Sequence, residues 1–122
     1  TYLGDINLFA VFDNEDVISN MTPNFNAVSK LDGQGLIISS ASNQYDFVSR
    51  YFCPKYGINE DPVTGSAHTT LIPYWSEKLN KISLTAKQVS KRGGELFCEN
   101  TDDRVLIGGN AVLYMKGVIE ID

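Results

Sequence analysis

At 122 residues, 43% hydrophobic and 20% charged, the chain has the length and composition of a single globular domain, not of a disordered or fibrous segment. Its net charge of −5 argues against nucleic acid or an anionic membrane as partner, since both need a basic face. No apolar run approaches the roughly 18 residues of a spanning helix and no signal peptide is legible at the start, so a cytoplasmic location is expected.

The chain opens on Thr1 instead of methionine, as a fragment or a processed piece would. Leu3 to Phe12 is apolar and β-prone and predicts a strand, closed by a turn over Asp13-Asn14-Glu15-Asp16. Thr22-Pro23 has the form of a helix start, with a capping hydroxyl and proline at the first position. Phe25, Val28 and Leu31 then follow at helical spacing until Asp32-Gly33. Gly35 to Ala41 reads as a buried strand. Tyr45 to Cys53 reads as another, with Tyr45, Phe47, Ser49 and Tyr51 on one face and Val48 and Phe52 on the other.

The stretch Asn59-Glu60-Asp61-Pro62-Val63-Thr64-Gly65-Ser66-Ala67-His68 carries the chemistry. Pro62 pushes Asp61 into extended or turn backbone. Gly65 permits a turn, and Ser66 through Asn80 supply the apolar residues of a core helix. The free N–H groups of its first turn form a place for a carboxylate or other anion. A carboxylate beside such a place suits proton transfer next to a bound acid. Pro73 inside the helix removes the bond to the carbonyl of Thr69, which a helix buried all round would tolerate.

Beyond the helix, Ile82 to Ser90, Glu95 to Glu99, Arg104 to Ile107 and Ala111 to Ile121 read as strands separated by Gly- and Asp-rich turns. Short turns predict antiparallel pairing. The expected architecture is α+β: a curved, largely antiparallel sheet, a half-barrel around one central helix, in a single domain over residues 1–122. Arg50 and Arg92 are the arginines placed to reach a polar cleft, against the commoner alternative of surface ion pairing. Cys53 and Cys98 lack a C-x-x-C neighbour and are expected to be buried thiols; with one histidine there is no zinc set.

Glu60-Asp61-Pro62-Val63-Thr64-Gly65-Ser66-Ala67-His68 followed by Pro73-Tyr74-Trp75 closely resembles the C-terminal half of the PhzF-like isomerases of phenazine biosynthesis. Gln88 to Leu96 and Arg104 to Gly109 match in the same order. The resemblance implies a diaminopimelate-epimerase-like fold of two similar α+β domains with the active site in the cleft between them. It implies a cofactor-free proton shift, best known on a dihydro-hydroxyanthranilate, and a homodimer, since dimers are usual in the family. Carried over by position, it makes Asp61 and Ser66 the catalytic residues and Thr64, Gly65, Ser66 and Ala67 the substrate-binding ones. The family's glutamate and Gly-His pair belong to an N-terminal domain, and none of the glutamates here stands in a matching context. This chain alone is therefore expected to be inactive, half of a site for a small carboxylate-bearing substrate.

His68 is not that missing histidine; within the helix it reads as a packed, hydrogen-bonded side chain. A two-thiol epimerase would place cysteine where Thr64 stands, and a serine hydrolase would need the second glycine of G-x-S-x-G after Ser66. Two readings stay open: Asp61 and Ser66 as a capping pair that only fastens the loop, and a non-catalytic protein that binds a small acid.

Overall fold

The computed structural model describes residues 2–3, 6–101 and 103–121. They form a seven-stranded sheet in sequence order: β1 (Tyr2–Leu3), β2 (Leu8–Phe12), β3 (Leu36–Ala41), β4 (Phe47–Phe52), β5 (Ser83–Gln88), β6 (Gly94–Asn100) and β7 (Val105–Gly108). Two short helices, α1 (Glu15–Asn20) and α2 (Phe25–Val28), connect β2 to β3, and α3 (His68–Leu79) connects β4 to β5. Pairing is antiparallel except for β2 with β3 and β4 with β5. The sheet is thus mixed, as it must be: strands joined through a helix return parallel, whereas those joined by tight turns return antiparallel.

The two parallel steps run the same way along the sheet, but their strands point in opposite directions. A right-handed crossover at each therefore places the connecting helices on opposite faces. Packing agrees with this. Phe9, Ile37, Phe47, Leu84, Ala86 and Leu96 meet Leu71, Ile72 and Trp75 of α3 on one face. Ile38, Val48 and Phe52 meet Ile18 and Val28 on the other. The alternation along β4 holds, with Phe47, Ser49 and Tyr51 all buried on the α3 side.

Several expectations need correction. The acidic run expected to be a plain turn starts α1: the Asn14 carboxamide accepts the Asp16 N–H, and Glu15 and Asp16 sit at the positive helix end. The cap of α2 is Asn24 and not Thr22, its side chain accepting the Ala27 N–H at 3.1 Å. Residues read as one first strand form two, β1 and β2, paired with each other. The central helix is not enclosed on all sides, because Thr69, Pro73 and Glu77, spaced four apart, face outward. Pro73 is tolerated for that reason: the carbonyl it leaves unpaired lies on the solvent side. Ala111 to Ile121 forms no strand; Val112, Leu113, Tyr114 and Val118 are 92, 82, 98 and 92% exposed. β7 is the sheet's last strand, and that segment pairs with nothing among the described residues.

Candidate functional site

The Asp61–Ser66 loop lies between the end of β4 and the start of α3, and each end is tied down. Asp61 N–H donates to the Tyr51 carbonyl at 3.1 Å, continuing the bridge of Phe52 to Glu60. Arg50 grips Glu60 through two parallel bonds of 2.7 and 2.8 Å and donates to the carbonyls of Ile18 and Met21. With side chains only 12 and 17% exposed, this is a half-hidden fork and not the surface pair that base expectation favours. Farther on, the Ser90 hydroxyl donates to the Pro62 carbonyl at 2.6 Å. Val63 lies against Gly94 so closely that a Cβ there would stand 2.4 Å from its methyl carbon.

Asp61 is only partly covered, and one carboxylate oxygen accepts the Thr64 hydroxyl at 2.5 Å. After Thr64 the chain winds in i→i+3 turns, His68 to Gly65 and Thr69 to Ser66, before α3 proper begins. No side chain caps α3. The N–H groups of Gly65, Ser66 and Ala67 have no protein acceptor among the described residues. Gly65 and Ser66 are exposed, with open space where a Gly65 side chain would be. Asp61 thus spends its hydrogen bond on Thr64 and not on a helix N–H, so the capping alternative describes neither it nor Ser66.

Beside this turn opens a cavity of about 550 Å³, walled by Val63, Gly65, Arg92, Gly93, Leu96 and Asn110. Arg92 is exposed at its edge and makes no ion pair among the described residues. A larger groove of about 820 Å³ lies along β5–β7, but of its two carboxylates Asp46 is already committed to Lys81 and to the Thr85 N–H, and Glu99 is an exposed side chain of β6 with no helix start beside it. The loop is therefore the better candidate site. Among the described residues no group of three or more His, Cys, Asp or Glu could hold a metal ion. No helix among them is long and apolar enough to cross a membrane. Both cysteines are free and buried, and burial pushes the Cys98 thiol up to about 11. Neither is poised as a thiolate base.

His68 is fully buried, its Nδ1 lying 2.8 Å from the Thr64 carbonyl and its ring 6.0 Å from that of Phe47. It is the packed histidine expected, not a site residue. Burial lowers its pKa from the usual 6.5, the Thr64 carbonyl opposing this in part. Below 6.5 the unfolded chain takes up a proton that the folded one refuses, so stability falls as pH drops from there. Urea unfolding of wild type and His68→Gln between pH 7.5 and 5 should show the steeper loss in wild type. Equal slopes would mean His68 carries no such linkage.

Gln88 and Ser90 were not singled out by sequence reasoning for any role at this loop. The available signal is a glutamine at the inward end of the apolar face Leu84, Ala86, where a core residue is due.

Residues 2–117 match the family model described as phenazine biosynthesis-like protein. An uncharacterized isomerase of Pseudomonas aeruginosa is 48% identical over 114 residues, 93% of this chain and 44% of that protein. The phenazine biosynthesis-like domain-containing protein of Bos taurus is 57% identical over 76 residues, 62% of this chain and 26% of its own length. The crystal structure of a phenazine biosynthesis PhzF-family protein of Enterococcus faecalis superposes with a TM-score of 0.89 at 52% identity, covering 95% of this chain and 45% of that one. The chain spans less than half the length of these relatives.

Proposed function

Since the chain belongs to the phenazine biosynthesis-like (PhzF) family, we propose that it forms one side of the active site of a cofactor-independent isomerase. The reaction is a proton shift on a small carboxylate-bearing substrate. The observation that carries this reading is the uncapped turn at Gly65–Ala67, exposed at Gly65 and Ser66 with Ala67 buried behind them, and the Asp61 carboxylate next to it in the chain. Asp61 orients or protonates the substrate. The Ser66 hydroxyl and the N–H groups of Gly65, Ser66 and Ala67 hold the substrate carboxylate or the enolate-like charge that develops. Such donors contribute a few kcal/mol each, roughly 10²–10³ in turnover, when water is excluded. The partner carboxylate that carries the proton comes from a second domain, consistent with relatives about twice this length. This chain by itself would then be inactive, and the two-domain protein would work in the cytoplasm as a homodimer.

The test is solvent-deuterium incorporation by the two-domain protein, with a dihydro-hydroxyanthranilate and a panel of small unsaturated carboxylic acids. Asp61→Asn and Ser66→Ala should each lower turnover at least about 10²-fold with the melting temperature nearly unchanged. Asn keeps an acceptor for the Thr64 hydroxyl, so the loop has no reason to loosen. Preserved turnover with a large loss of stability would return both residues to a fastening role. An acid that binds at this turn yet never exchanges would favour a non-catalytic binding protein.

A further inference from the structure

We infer that Gln88 is a positioning residue for Asp61, holding the carboxylate's rotamer through the Thr64 hydroxyl. The inference rests on the reading of Asp61 as the proton-handling group. Gln88 is the last residue of β5 and only 1% exposed. Its Oε1 accepts the Thr64 N–H at 2.7 Å, and its Nε2 donates to the Asp61 carbonyl at 2.7 Å and to Thr64 Oγ1 at 3.2 Å. A backbone donor on one side and a backbone acceptor on the other leave one orientation for the amide. The reverse orientation would set donor against donor and acceptor against acceptor.

The consequence reaches the carboxylate in one step. A threonine hydroxyl has a single hydrogen. Because Thr64 Oγ1 already accepts from Gln88, that hydrogen is free to point at Asp61, which it does at 2.5 Å. The Thr64 carbonyl, meanwhile, lies on His68 Nδ1 and the Pro62 carbonyl on Ser90. The hydroxyl that fixes Asp61 is therefore itself fixed from the sheet. A buried amide is costly unless its bonds are made, and this one sits at a position that an apolar residue would fill more cheaply. What the amide adds is geometry. A reacting group displaced by about 1 Å loses on the order of 10² in rate.

Three variants test this. Gln88→Met keeps the shape and removes every polar contact; Gln88→Glu keeps the acceptor for Thr64 N–H but loses the donors; Thr64→Val removes the hydroxyl alone. In the 122-residue chain, scalar couplings should show Asp61 in one χ1 rotamer in wild type and averaged in all three. Thr64 amide exchange should speed up about tenfold in Gln88→Met, the loss of one good hydrogen bond, and remain slow in Gln88→Glu. A single Asp61 rotamer in every variant that folds overturns the proposal, even if melting temperatures drop. In the two-domain protein acting on the dihydro-hydroxyanthranilate, Gln88→Met should lower kcat about 10–100-fold with KM within about threefold. On an Asp61→Asn background it should cost nothing further, and additive losses would count against it. Unchanged turnover in Asp61→Asn alone would end the acid–base reading, while the rotamer measurement would still decide what Gln88 does.

Discussion

Trp75→Ala is expected to lower the free energy of unfolding by about 3–5 kcal/mol, a large share of the roughly 5–15 kcal/mol typical of a domain. Trp75 is 3% exposed and joins α3 to the sheet through a ring stack and a hydrogen bond. Its ring stacks on Phe47 at 5.8 Å and 7°, and meets Tyr74 edge-on at 5.2 Å. Its Nε1 donates to Ser39 Oγ at 2.9 Å, and that hydroxyl in turn donates to the Val48 carbonyl at 2.6 Å. Truncation opens a cavity between helix and sheet and strips the buried Ser39 oxygen of its donor. Trp75→Phe keeps most of the ring and loses the N–H, so about 1–2 kcal/mol is expected from the same urea titrations. A loss below about 1 kcal/mol for the alanine variant would be too small for the removal of a buried tryptophan side chain.

Arg50→Met should cost about 3–5 kcal/mol, and for a different reason. The guanidinium is only 12% exposed and satisfies the Glu60 carboxylate together with the Ile18 and Met21 carbonyls, while resting 4.9 Å from the centre of the Phe52 ring. Removing it strands a half-buried carboxylate and two carbonyls at once. Adding Glu60→Leu should recover part of the loss, giving a coupling of about 1–3 kcal/mol in a double-mutant cycle. If the two losses simply add, the fork contributes no pairing energy. Since Glu60 immediately precedes Asp61, this ion pair also decides where the candidate loop begins.

These two residues mark how far sequence can be read. Trp75 was assignable to the core from helical spacing and hydrophobicity alone. Arg50 was not assignable to Glu60, because they sit on different segments and only the path of β4 brings them together. The loop shows the same split. The Asp61-Pro62…Gly65-Ser66 string located the candidate site, and local rules explain why Asp61 stays outside the helix and why the turn is open. The alternative of a cap by Asp61 or Ser66 is not met: no side chain caps α3, and the Asp61 carboxylate accepts from Thr64 instead. Gln88 lies 24 residues from Thr64, and its bonds exist because β5 ends beside the loop.

By itself, then, the sequence determined what depends on near neighbours: strand and helix periodicity, the tight turns at glycines, the burial of both thiols and the identity of the motif. Tertiary structure decided what depends on partners. β2 with β3 and β4 with β5 pair in parallel because helices intervene, which no strand pattern encodes. Ala111 to Ile121 has the pattern of a strand, yet a strand exists only where another edge shares its hydrogen bonds, and this segment pairs with none of the described residues.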